Sequence, residues 1–115
     1  MSASQQRKGR AGELELVRVL QDAGINARAG DPVSYGTVPD VVGIPNIHAE
    51  VKRVERLNID IAMDQAVRDA QRFNDGAPAV FHRKNRRPWL VTMRFEDWVR
   101  MYQEGQMKQC RINRR

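Results

Sequence analysis

Ile59, Ala62, Met63, Ala66, Val67, Ala70 and Phe73 recur at helical spacing and paint one apolar stripe along residues 59–73. Strand-like runs stand on both sides of it: "DVVGI" and "IHAEVKRV" before, "PAVFHRK" and "WLVTMR" after. A one-sided helix set between strand runs buries its stripe against a sheet. That restricts the chain to an α/β arrangement with helices packed on a central sheet. Asn74-Asp75-Gly76 ends the helix, and Gln65, Arg68 and Arg72 share its flank.

A second helical pattern covers residues 11–23, and Gly24 supplies its stop. Residues placed about 100° apart put Gly12, Leu16, Val17, Val19, Leu20 and Ala23 on one broad face. Glu13 falls inside that face, where a carboxylate is costly unless something compensates it. Glu15 falls on the opposite side with Arg18 and Asp22, which predicts a solvent-facing residue. Residues 25–29 read as a first strand, and "GDPVSYGTVPD" reads as a loop. Pro45-Asn46 reads as the tight connection of a hairpin between the second and third strands. Phe95, Trp98, Val99 and Tyr102 predict a short closing helix, with Trp89 and Trp98 as core or rim residues. The predicted order is α-βββ-α-ββ-α.

The 115 residues suit one domain, residues 1–115, with basic flexible ends at about 1–9 and 106–115. Arg7, Lys8 and Arg10 lie near one end, and Lys108, Arg111, Arg114 and Arg115 at the other. The net charge of +6 favours a polyanionic partner, nucleic acid above all. Cys110, the single cysteine, excludes an intrachain disulfide, and with only His48 and His82 beside it too few ligands remain for a structural zinc site. The start "MSASQQRKGR" lacks the apolar core of a signal peptide, and no apolar run is long enough to span a bilayer. These features predict a cytoplasmic protein. Cys110 is assigned no role.

The segment "VPDVVGIPNIHAEVKRV" carries the chemistry. Strand residues two apart point to the same side, so Glu50 and Lys52 share a face with His48 and Val54. A hairpin would return Asp40 beside them. Two carboxylates and a lysine at one end of a sheet suit Mg²⁺, or Mn²⁺ in its place, which keep waters and accept phosphate oxygens. Lys52 beside such an ion would steady a nucleophilic water or neutralise a phosphorane-like transition state. Phosphodiester hydrolysis fits this set. The competing reading makes Asp40 a turn cap and Glu50–Lys52 a surface ion pair.

Pro39-Asp40 and Glu50-Val51-Lys52 resemble the motif of the PD-(D/E)xK nuclease superfamily, whose members share a restriction-endonuclease-like core. The likeness is closest to archaeal and phage-type Holliday junction resolvases. A "KGxxxE" stretch opens their first helix, here Lys8-Gly9-Arg10-Ala11-Gly12-Glu13, followed by Gly24-Ile25 and an Arg-bearing strand at Arg28. A loop serine precedes the PD pair, here Ser34, followed by Tyr35 rather than a glycine; a glutamine lies on the later helix, here Gln65. The resemblance implies that Glu13, Asp40, Glu50 and the Val51 carbonyl ligate Mg²⁺. It implies that Lys52 is the base or charge stabiliser, that Gln65 orients the site and that Ser34 contacts the scissile region. The basic residues Arg7, Lys8, Arg10, Arg28, Arg68 and Arg72 are the expected DNA contacts. The implied fold is α/β, a restriction-endonuclease-like core with a central mixed sheet flanked by helices.

Three functions follow. The first is a Mg²⁺-dependent endodeoxyribonuclease, a homodimeric Holliday junction resolvase acting on branched DNA in recombination and repair. The second is another nuclease of the superfamily, acting on duplex or flap DNA. The third is an inactive nucleic-acid-binding module on the same scaffold, against which the intact Asp40, Glu50 and Lys52 argue.

Overall fold

A computed structural model describes residues 3–31 and 36–113, with side chains over 9–31 and 36–108. The elements are α1 (Ala3–Asp22), β1 (Arg28–Ala29), β2 (Val41–Val42), β3 (Ile47–Arg53), α2 (Ile59–Phe73), β4 (Ala77–Arg83), β5 (Leu90–Met93) and α3 (Phe95–Asn113). The predicted order holds, and α2 covers the stripe that its spacing outlines. Asn58 caps it, its side chain accepting from the Ile61 amide at 3.2 Å, a cap that contributes about 1 kcal/mol. Asn74 closes it in the left-handed conformation.

β3 pairs in parallel with β4, and β4 pairs antiparallel with β5, giving a mixed three-stranded sheet of order β3-β4-β5. Ala49 is paired with Ala79, and Glu50 with Val80. The alternation sorts these pairs onto opposite faces. On one face Ala49, Ala79 and Phe81 pack with Leu16, Val17 and Leu20 of α1. On the other, Val80 packs with Ala62 and Ala66 of α2. Alanine at so many contacts lets both helices approach the sheet closely.

Several expectations are corrected. The second and third strands do not form a paired hairpin: β2 pairs antiparallel with β1, and β3 turns to β4 instead. Asn46, in the left-handed conformation at φ 66°, redirects the chain between them. The first strand is only Arg28–Ala29, shorter than residues 25–29. α1 starts well before residue 11, and α3 is not short, so both helices run into the stretches assigned to the basic ends. Val19 of α1 and Ala23 just past its end are exposed, so the buried face is narrower than its phase predicts.

α3 leaves the body of the molecule and is exposed at every position from 100 to 108. Trp89 packs against the core, as expected, but Trp98 does not. It is 45% exposed and stacks on Tyr102 at 5.3 Å and Phe95 at 6.3 Å between ring centres.

Candidate active site

Two glycines set the geometry. Gly12 sits where α1 crosses β3, and a Cβ there would lie 2.7 Å from Cβ of Arg53. Its missing side chain lets α1 come down on the strand and carries Glu13 to the edge of the sheet. Gly30 plays the same part in the loop: a Cβ would lie 2.2 Å from the Pro39 carbonyl oxygen. The Gly30 amide donates to the Asp40 carbonyl at 2.8 Å, which ties Asp40, just before β2, to the end of β1.

Glu13 and Glu50 are 7% and 6% exposed, so both sit almost wholly out of water. Burial, then the charge of Asp40 and a hydrogen bond shared with it, push the Glu13 carboxyl up to about 8. Arg10 pulls it back in part, and Glu50 pushes it further up. Three carboxylates from α1, the start of β2 and β3 therefore crowd one edge of the sheet. Such a cluster holds a proton where it would otherwise hold a cation. An oxygen-only donor set of this kind would suit a hard divalent ion; among the described residues, the ligand atoms that lie within 4.8 Å of one another are those of His48, Glu50 and Asp69. Val51 follows Glu50 on β3.

Lys52 reaches the cluster from the strand. Its Nζ donates to Gln65 Oε1 at 3.0 Å and lies 3.7 Å from Glu50 Oε1. Gln65 on α2 thus fixes where the ammonium sits, and the ammonium retains a donor for a ligand. The structure brings Glu13, Asp40, Glu50, Lys52 and Gln65 together, although the hairpin expected to return Asp40 is not formed. The β1–β2 ribbon lies against β3 instead and delivers it.

The basic residues divide. Arg28 and Arg68 are exposed. Arg10 Nη1 donates to the Gly30 carbonyl at 2.6 Å, and Arg72 donates to the Gly36 carbonyl while lying 4.8 Å above the Phe73 ring. These two clamp the loop before β2. Arg7 and Lys8 fall within α1, with side chains outside the described residues, and Ser34 lies outside them altogether.

Glu15 does not simply face solvent, as its phase predicts. It accepts from Arg53 at 3.0 Å and from Arg83, tying α1 to β3 and β4. Burial would raise its carboxyl, but Arg83 and Arg53 outweigh this and hold it below the usual range. Residue spacing misses this because the partners are contributed by strands 38 and 68 residues later. Sequence reasoning gave no site role to His48 or Asp69 and read Asp75 only as part of a turn. Nδ1 of the buried His48 lies 2.9 Å from each Asp75 carboxylate oxygen. The sequence signal was present: His48 stands two residues before Glu50 on the same face of β3.

No family model matches the chain, and no curated protein does so by sequence. Among solved structures, the chain is similar to Hjc of Archaeoglobus fulgidus, a Holliday junction resolvase from an archaeal hyperthermophile. The two are 26% identical with a TM-score of 0.53, over 75% of this chain and 72% of that one. The α/β architecture, with a mixed sheet between helices, agrees with the restriction-endonuclease-like core expected from the sequence. No helix among the described residues is long and apolar enough to cross a membrane.

Proposed function

We propose that this protein is a divalent-metal-dependent DNA endonuclease that acts on branched DNA, as a Holliday junction resolvase. The observation that carries the reading is the meeting of Glu13, Asp40, Glu50 and Lys52 at one sheet edge, with the Glu13 carboxyl pushed up to about 8. A surface ion pair of the bland kind would not collect a buried glutamate from a distant helix. The likeness to the archaeal resolvase supports the substrate class.

Glu13, Asp40 and Glu50, with the Val51 carbonyl, would hold Mg²⁺, which supplies Lewis-acid polarisation of a phosphate oxygen and acidifies water. Mn²⁺ would serve in its place. The rest of the chemistry belongs to the chain. Lys52 meets the scissile phosphate with its remaining donors and offsets the charge that grows as water oxygen bonds to phosphorus. The attacking water gives up a proton to bulk water as its oxygen bonds to phosphorus, and an ester oxygen departs with the bonding pair and takes up a proton in turn. Gln65 keeps the lysine in position through their 3.0 Å hydrogen bond. The exposed Arg28 and Arg68 would lie along phosphates and position the duplex without reading bases.

Resolution of a junction requires two cuts related by a twofold axis, so the active form is a homodimer. The stacked Phe95, Trp98 and Tyr102 on α3 offer the exposed apolar surface for the second copy.

The test is incubation with labelled four-way junction, flap and linear duplex of shared sequence, with Mg²⁺ and with EDTA. The proposal expects Mg²⁺-dependent cleavage that favours the junction. Equal rates on linear duplex would reject the resolvase reading and keep a nuclease; no cleavage of any substrate would reject both.

A further inference from the structure

His48 is 2% exposed and has no part in the chemistry above. Its Nδ1 is 2.9 Å from both oxygens of Asp75. A carboxylate can only accept, so Nδ1 carries the hydrogen and donates it. In the neutral ring Nε2 is then a bare acceptor, and it is buried with no hydrogen-bond partner among the described residues. It faces Glu50, whose Oε2 lies 3.9 Å away, too far for a hydrogen bond. One ligand atom each of His48, Glu50 and Asp69 lies within 4.8 Å of the others. Asp69 comes from α2, one turn beyond Gln65, so helix and strand close on the same point.

From this geometry we propose that His48 Nε2, Glu50 and Asp69 form a second cation site, taking a borderline divalent ion such as Zn²⁺ in preference to Mg²⁺. Imidazole nitrogen suits such ions, whereas Mg²⁺ prefers oxygen alone. The Asp75–His48 pair is the outer-shell arrangement that fixes the tautomer of a metal-binding histidine and makes its free nitrogen more basic. Ligands about 2.1 Å from one ion stand roughly 3.0–3.5 Å apart, so side-chain shifts of about 1 Å close the set. A proton competes for the same place. Burial works against a charged ring, but Glu50 and Asp75 outweigh it and raise the His48 pKa. A buried imidazolium between two carboxylates is therefore the rival occupant. Only the sharing of Glu50 between two ions rests on the nuclease reading. The site itself stands without it.

Zn²⁺ is the probe, added to full-length ¹⁵N-histidine-labelled protein carrying Cys110→Ser, which removes the single thiol. The chain has two histidines, so His82→Gln assigns both sets of ring signals. The proposal expects the first equivalent to shift His48 Nε2 while Nδ1 keeps its hydrogen. Asp69→Asn, on a half-exposed helix flank, should abolish that shift and weaken Zn²⁺ binding at least about tenfold, read by competition with a chromophoric chelator. Asp40→Asn should leave the shift in place. A His48 Nε2 that stays protonated and indifferent to Zn²⁺ would overturn the proposal in favour of the imidazolium. So would a shift that survives Asp69→Asn, or one that Asp40→Asn removes. A shift that behaves as expected in a protein that cleaves no DNA would sink the nuclease reading alone.

Discussion

Glu13→Gln should make the metal-free protein more stable at alkaline pH and leave it with less to gain from Mg²⁺. In the folded chain the Glu13 carboxyl is raised from 4.5 to about 8 by burial first and Asp40 next, with Glu50 adding and Arg10 opposing. The unfolded chain releases that proton near the ordinary value. A raised folded pKa means that stability is present in full below the unfolded value and is lost as pH rises through the folded one. Each unit corresponds to about 1.4 kcal/mol, so a rise from 4.5 to about 8 sets a ceiling of about 5 kcal/mol on the loss. Proton sharing with Asp40 and water entering the site reduce this, and we expect a loss of roughly 1–3 kcal/mol between about pH 5.5 and 8.5. Glutamine keeps the shape and carries no charge at either pH. His48, raised, adds a loss of the same sign, and His82, lowered by burial, a change of the opposite sign. Both remain in the variant and cancel in the difference. Urea denaturation in EDTA at the two pH values measures it. Mg²⁺ should then restore the wild type more than the variant. Parallel pH dependences, or a variant less stable than the wild type at pH 8.5, would refute the reasoning.

Glu15→Gln should lower the urea midpoint by an amount equivalent to about 1 kcal/mol, since it weakens the ties to Arg53 and Arg83 in a partly exposed pocket; an unchanged midpoint would contradict that. Gly12→Ala, whose Cβ would sit 2.7 Å from Arg53 Cβ, should cost about 1–3 kcal/mol and slow cleavage by lifting α1 off β3; wild-type stability and rate would show that the close approach is dispensable. Arg28→Ala and Arg68→Ala should each flatten the dependence of log K for DNA on log salt by about one; an unchanged slope would remove them from the DNA footprint. Trp98→Ser should convert a sedimenting dimer into a monomer; a wild type that sediments as a monomer would place the second copy elsewhere or nowhere.

What the sequence made legible follows from which interactions are local. The α2 stripe and the buried phase of Glu13 depend on the helix alone, and both hold in the structure. Glu50 and Lys52 share a face because strand geometry requires it. The pairing of strands is not local. "DVVGI" and "IHAEVKRV" look like a hairpin because only Pro45-Asn46 separates them, yet parallel pairing with β4 gives β3 a full ladder across a long crossover. Asp40 still reached the site, by way of β1. Glu15 was misread for a related reason: helical phase names the side of a helix, not what a later strand lays against it. His48 was placed on the correct face, but Asp75, its partner across the end of α2, has no sequence signature beyond a turn.

The most direct test of the central claim is a denaturing-gel product map of a labelled four-way junction with the wild type, Asp40→Asn and Lys52→Ala. With Mg²⁺ the wild type should nick two strands of like polarity, symmetrically about the branch, leaving ends that a ligase seals. Both variants should bind the junction within about threefold of the wild type, because phosphate contacts lie on other residues. They should cleave it at least about 100-fold more slowly. Wild-type cleavage that persists in EDTA, or a variant that cuts at the wild-type rate, would contradict the assignment of the site.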